Sequence, residues 1–424
     1  MPIVDAIIVG AGAAGLMCAR ELMRAGKQVL ALEAGTRAGG RILTLYDTSA
    51  GVPLELGAEF IHGDAPETRR LLHEARLATI PVLGDHYRSD RGEMSPQGPV
   101  WKRMAQIFGH LNPKRKRDRS FDEFLAGKPG GPRLRDEREL ARGFVQGFNG
   151  ADTRLISEKS IAQQDDPTEG AAEAARIVNG YGALIDYLRR DVTDVIRFNV
   201  AVKRVVWSDS QVRVTDQNGT EHLAKAVIIT VPLPMLQDAS ITIEPELPVL
   251  RRAARHLVMG QVARVSVVVK ERFWERKVER LSYVHSPMRP FTVWWTQHPV
   301  QAPVLTGWAG GPPAVELLES GNVEGVAIAE LARTFGMRRR RVEALVDSIH
   351  THNWTEDPNI RGAYGYTGVG GVSAPKTLAR PASSTVFLAG EATAASTAGT
   401  VEGALASGKR AARRALTSMG ESRT

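Results

Sequence analysis

The stretch "DAIIVGAGAAGLMCARELMRAGKQVLALEAG", residues 5–35, constrains the fold more than any other part of the chain. Ile7, Ile8 and Val9 form a continuous apolar run of the kind buried on both faces of a parallel sheet. Leu16, Ala19, Leu22 and Met23 then recur at helical spacing, Gly26 offers a left-handed stop, and "QVLALE" reads as the next strand. Gly10, Gly12 and Gly15 form GxGxxG with Ala13 and Ala14 inside it, and Glu33 followed by Ala34 closes the unit at the distance expected for a dinucleotide fingerprint. Glycine at these places lets backbone turn tightly and approach a pyrophosphate seated on the helix N-terminus, while Glu33 would accept from the adenosine ribose.

Directly beyond lies "GTRAGGRI". Gly39 and Gly40 bring a second stretch of bare backbone, and Arg41 a fixed positive charge, toward the same phosphates. A nicotinamide enzyme has no general need of this second clamp, so FAD is expected rather than NAD.

At 424 residues the chain exceeds the size at which one hydrophobic core usually stops growing, so two domains are expected. Helical patterns such as "FDEFL" and "ELARGFVQGFNG" dominate residues 68–179, where little strand signal is found. From Val195 the texture turns to β, an antiparallel meander with a turn at "QNG" feeding the buried strand "AVIITV". Further β-rich stretches, "VARVSVVVKERFW", "FTVWWTQ" and "VLTGWAGG", precede helical patterns over 323–334 and 339–350. "TVFLAGEA" into "GALASGKRAARRAL" is again strand, loop, helix. Strand-rich and helix-rich pieces interleave, so each domain is assembled from separated segments.

The single cysteine, Cys18, excludes an internal disulfide and any cysteine-rich metal site. No apolar run approaches a membrane span, and the N-terminus enters the first strand without a signal-peptide pattern, so a soluble cytoplasmic protein without membrane association is expected. The formal charge is +8. Its basic clusters, residues 113–119 and 337–341, lack interleaved aromatics and a nucleic-acid fold, and are read as solvated faces and loops rather than a nucleic-acid surface. No metal is expected, because His350, His352 and Asp357 have no further ligand at suitable spacing.

Five motifs in order, "GAGAAG…E…GGR", "LELGAEFIHG" (54–63), "ITVPLPML" (229–236), "WTEDPNIRGAYGY" (354–366) and "LAGEAT…GTVEGALASG" near the end, resemble the flavin-containing amine oxidase family. That family includes monoamine and polyamine oxidases, L-amino-acid oxidases and lysine-specific histone demethylases. The resemblance implies a doubly wound, Rossmann-like FAD-binding domain of the p-hydroxybenzoate hydroxylase type, interleaved with a substrate domain of mixed sheet and helices. The first would comprise residues 1–80, 180–236 and 355–424, the second 81–179 and 237–354. By motif, Gly39, Gly40, Arg41, Gly57, Ala58, Glu59 and Pro232 should lie along the FAD. Val202 should hold the adenine through its backbone, Glu391 after Gly390 should bond the ribityl or pyrophosphate region, Thr400 and Val401 should approach the isoalloxazine, and Trp354 should pack beside it.

The reaction so implied is hydride removal from a carbon bearing an amine, with imine hydrolysis and reduction of O2 to H2O2; the partners are a small amine and O2, in a monomer or homodimer. Tyr364 falls on the first of two ring positions that hold the amine in many members, and Thr400 takes the second. Ala363 stands where monoamine oxidases carry a flavin-linked cysteine, which implies noncovalent FAD. Arg264 falls on the position of the family's lysine before "FW"; arginine there would either keep the lysine's bound water or slow the oxygen step. His62 is a substrate-side histidine or one satisfied at a turn, and Glu59 attracts a cationic amine or is a structural carboxylate. Glu59 and "QQDDPTEG" (163–170) are the acidic candidates for drawing a polyamine to a basic protein.

Overall fold

In the computed structural model, which describes residues 3–98, 100–163, 174–238, 240–286 and 290–420, the opening strand Val4–Val9 lies at the centre of a parallel sheet. Its neighbours are Val29–Leu32 on one side and the second half of Glu221–Ile229 on the other, and Ile196–Arg197 and Val386–Leu388 extend the two sides in the same direction. Ile7 and Ile8 are fully buried, as strands covered on both faces must be. The first half of Glu221–Ile229 belongs instead to an antiparallel meander with Val212–Asp216 and Val202–Trp207. One long strand thus joins meander and parallel sheet, as the run from Val195 into "AVIITV" implies.

The helix Ala13–Arg24 follows the glycine turn, and the last helix, Val401–Ser418, packs against it. Small residues set their approach: a Cβ on Gly408 would lie 2.2 Å from the Ala14 carbonyl oxygen. Apolar side chains of both helices and of Tyr181–Arg190 cover one face of the parallel sheet.

A second sheet takes the order 346–351, 262–269, 304–310, 293–295, 281–285, 85–90, 93–96, antiparallel except where Leu281–His285 runs parallel to Asp85–Asp90. Its side chains alternate between two destinations. Val265, Val267, Val284, Trp294 and Leu305 enter a core closed by the helices Pro312–Glu319 and Val323–Phe335. Arg264, Trp308, Trp295, Tyr283, His285 and His86 point the other way and line a large cavity.

Two expectations fail. Residues 68–179 contain the strands Thr79–Pro81, Asp85–Asp90, Glu93–Pro96 and Ala175–Ile177. Two are only three residues long and the other two are largely polar, and three of the four pair with strands distant in sequence, so hydrophobic periodicity does not reveal them. The pattern over 339–350 is helical only through Arg339–Leu345; Val346–Thr351 pairs with Val262–Val269, because a neighbouring strand with open hydrogen-bonding groups overrides a weak helical preference.

The basic residues at 114–117 are exposed in a loop and those at 338–341 at the start of a short helix, where Arg339 pairs with Glu343. No helix among the described residues is long and apolar enough to cross a membrane. The acidic residues of 164–170 lie outside the described residues.

Candidate active site

Gly10, Gly12, Ala13, Ala14, Glu33, Ala34, Gly39, Gly40 and Arg41 all line one end of a cavity of about 2290 Å³. The fingerprint glycines divide the work. Gly10 has φ +102°, and a Cβ on Gly15 would lie 2.0 Å from the Gly10 oxygen, so these two make the tight turn and the helix contact. Gly12 and Gly40 approach each other closely on the cavity wall: a Cβ on Gly40 would lie 3.4 Å from the Gly12 Cα, and one on Gly12 4.0 Å from the Gly40 Cα. Side chains there would narrow the trough leading to the helix N-terminus, where a pyrophosphate fits. Glu33 accepts from the Ala11 amide at 2.6 Å and the Gly35 amide at 2.8 Å, which fixes it at the end of its strand.

Further along, a Cβ on Gly57 would lie 1.9 Å from the Arg41 carbonyl oxygen, so "LELGAEFIHG" presses its backbone onto the Arg41 segment. Gly57, Ala58, Val202, Pro232, Gly390, Thr400 and Val401 line the same cavity. So does Trp354, whose indole N–H donates to the Leu56 oxygen at 2.9 Å. Glu391 also lines the cavity, and it is held there by the protein. Its oxygens accept from Arg41 at 2.9 Å and from the Gly365 and Gly399 amides at 3.2 and 3.1 Å, so it ties three cavity-lining segments together and orients Arg41. Arg41 also donates to the Ala363 oxygen at 2.8 Å.

Tyr364 donates its hydroxyl to the Phe148 oxygen at 2.7 Å, which locks the ring where the glycine-lined end meets an aromatic arm of the cavity. Burial raises its phenol pKa, so it remains neutral. Thr400 lines the cavity beside the Gly399 and Val401 backbone, but its hydroxyl is engaged within the protein: it donates to the Thr397 oxygen and accepts from the Gly403 amide at 2.9 Å, capping the last helix. His62 sits on the cavity wall with its ring against Phe60 and Phe148.

Glu59 cannot serve as an open anion for a cationic amine. Both its oxygens are taken up by Arg176 at 2.6 Å, by Arg264 and by the Trp295 indole N–H at 3.1 Å, in a site where the carboxylate is almost wholly buried. Burial opposes its charge, and the two arginines outweigh burial and hold its pKa below the ordinary range. Arg264 also donates to the Gly57 oxygen at 3.2 Å and lies over the Trp295 ring, while Lys270 faces away, donating to the Ala344 oxygen. His350 pairs with Asp47 and His352 packs on Trp354, and no cluster among the described residues has the make-up of a metal site.

Several cavity residues carry no motif: Tyr283, His86, His285 and Trp101; nor does Arg176, which bonds Glu59 behind the wall. Only Phe144 and Phe148, four apart on the helix Arg135–Phe148, had a legible spacing.

A Rossmann-like parallel sheet with a glycine trough at its carboxyl edge, opening into an aromatic chamber beneath a second sheet, defines an FAD-dependent oxidoreductase. Residues 13–416 match the family described as flavin containing amine oxidoreductase, and the chain belongs to that family. It is 29% identical to polyamine oxidase 3 of Oryza sativa subsp. japonica over 96% of this chain and 88% of that protein. Polyamine oxidase 2 of Arabidopsis thaliana is 30% identical over 96% and 86%. Lysine-specific histone demethylase 1 homolog 2 of Oryza sativa subsp. japonica is 28% identical over 97% of this chain but 56% of its own length. The fold matches cyclohexylamine oxidase from Brevibacterium oxydans with a TM-score of 0.84 at 20% identity, covering 99% and 100% of the two chains. Putrescine oxidase bound to putrescine matches at 0.83 and 21%, covering 98% and 99%. The cofactor is FAD, held without a covalent link: Ala363 lines the site, and Cys18 is buried in the first helix.

Proposed function

We propose that the protein oxidises the C–N bond of a small amine. Held in the trough by the Gly12 and Gly40 backbone and Arg41, FAD would supply a two-electron acceptor for the hydride, with O2 as the final oxidant giving H2O2. The amine carbon that loses hydride becomes an imine, and water then releases a carbonyl compound and an amine or ammonia.

The observation that carries this reading is the place of Tyr364, a neutral ring fixed by the Phe148 carbonyl where trough and aromatic arm meet. The walls beside it, Phe148, His62 and Trp308, are largely apolar, and burial there favours the uncharged amine, the form able to lose hydride. Tyr364 orients that amine and excludes water; Glu391 keeps Arg41 and the Gly399 backbone in place around the cofactor end.

A dehydrogenase with a slow oxygen step is the second reading, supported by Arg264 at the lysine position with its guanidinium bound to Glu59 and Gly57. The same bonds weigh against an amino-acid oxidase that would use Arg264 to receive a carboxylate. A partner-binding flavoprotein has only Arg264 in the lysine's place and the exposed basic runs in its favour.

An anaerobic screen followed by air readmission tests the proposal. A panel of amines should include some that bleach the yellow holoenzyme, and Tyr364→Ala should slow bleaching by about two orders of magnitude with FAD content retained. A holoenzyme that no amine bleaches would remove the proposal.

A further inference from the structure

Eight aromatic side chains of the cavity wall touch one another in a closed circuit. His62 meets Phe60, Phe60 meets Trp295, Trp295 meets Tyr283, and Tyr283 meets His86. His86 then meets Trp101, Trp101 meets Phe144, Phe144 stacks on Phe148, and Phe148 returns to His62. Neighbouring centroids are 4.7 to 6.5 Å apart. The circuit begins next to Tyr364, through Phe148, and reaches a rim where Arg88, Asp136 and Glu139 are exposed.

Burial disfavours charge on His86 and Tyr283 of this collar and on His285 beside it. His86 and His285 lie with Nδ1 and Nε2 3.5 Å apart, and burial lowers both, His285 to about 3 with His86 adding to the effect. The Tyr283 phenol is pushed up to about 12 by burial. Aromatic rings alone would also suit an ammonium. Here that use is opposed from behind: Arg176 lies over the Phe60 ring at 4.8 Å and Arg264 over the Trp295 ring at 5.6 Å. These two cations share one carboxylate, Glu59, and the next, Glu55, is raised by burial to about 7 and offsets them only in part. A second ammonium held by the collar would be desolvated beside an excess of positive charge.

Resting on the reading of the site as an amine oxidase, we propose that the collar is its specificity site and takes the uncharged aryl tail of a monoamine whose amino end stands beside Tyr364. A di- or polyamine, which would carry its distal charge into the collar, is then a poor substrate.

The test compares 2-phenylethylamine, n-butylamine and putrescine in anaerobic flavin reduction by the holoenzyme. The expected reduction rate constant over Kd is greatest for phenylethylamine and roughly a hundredfold below it for putrescine. Trp101→Ala, and separately the milder Tyr283→Leu, should collapse the phenylethylamine-to-butylamine preference by about tenfold, since stacking on the tail is lost for one substrate alone. A putrescine preference, or variants that shift both monoamines equally, overturns the collar. If no amine reduces the flavin, the oxidase reading falls, and binding of the unreactive benzamide, followed by the flavin spectrum, decides the collar by itself. Binding weakened about tenfold in Trp101→Ala sustains it, and no binding or no weakening overturns it.

Discussion

Glu59 and Arg264 form an ion pair in which both side chains are almost wholly removed from water, and Arg176 closes on the same carboxylate at 2.6 Å. The pair joins the "LELGAEFIHG" segment to the strand Val262–Val269 of the second sheet, so it fixes the cofactor end of the cavity against the substrate end.

Glu59→Gln would leave two guanidinium groups facing a neutral amide. A buried pair broken at one partner typically costs about 3–5 kcal/mol. The expected outcome is a clear fall in Tm and in FAD retained on purification, checked by calorimetry and the flavin absorbance per chain. Unchanged Tm and FAD content would show that the cluster is not structural.

Arg264→Lys should speed reoxidation. The guanidinium is a fixed fork bound to Glu59 and Gly57, whereas an ammonium on a flexible stem keeps the Glu59 charge pair and can turn a donor toward a water in the cavity. Stopped-flow mixing of the reduced variant with O2 should give a rate constant roughly tenfold above that of the parent protein. An equal or lower rate would mean that arginine at this position does not limit the oxygen step.

Thr400→Ala should act chiefly on stability. It removes the cap bond to the Gly403 amide, a change worth about 1 kcal/mol, while the adjoining backbone that lines the cavity is kept. A Tm lower by roughly 2 °C is expected, with little change in flavin reduction by a short amine. A large loss of reduction rate at unchanged Tm would instead give the hydroxyl a direct part in the reaction.

Burial raises Glu330, inside the second sheet's core, to about 7, against an acceptor bond from the Phe291 amide. A carboxyl raised on folding binds more protons folded than unfolded, so stability is lost as pH rises from the ordinary glutamate range toward 7. Glu55 adds to the same slope. Carboxylates lowered by ion pairs, such as Asp238, are ionised throughout this window and do not mask it. Tm should fall by roughly 2–4 °C between pH 5 and 7.5, and Glu330→Gln should flatten part of that slope. The same slope in the variant would rule Glu330 out as its source.

The glycine turn, its flanking strands and the last helix were legible because their causes are local. A bare backbone at Gly10 and Gly15, apolar runs and a capping residue act within a few positions of one another. The strand Val346–Thr351 was not, since its conformation depends on hydrogen bonds to Val262–Val269, some 80 residues away.

The same division runs through the site. Sequence by itself determined the cofactor end: a Rossmann unit with a second glycine pair and Arg41 admits little but FAD, because backbone must lie against phosphate. Only the tertiary structure decided what Glu59, Arg264 and Glu391 do, since a charge beside a counter-charge is a different group from the same charge alone. It alone assembled the aromatic collar too, whose rings come from separate segments between Phe60 and Trp295. No spacing along the chain encodes a circuit closed by contacts between strands and helices that meet only when the second sheet folds over the first.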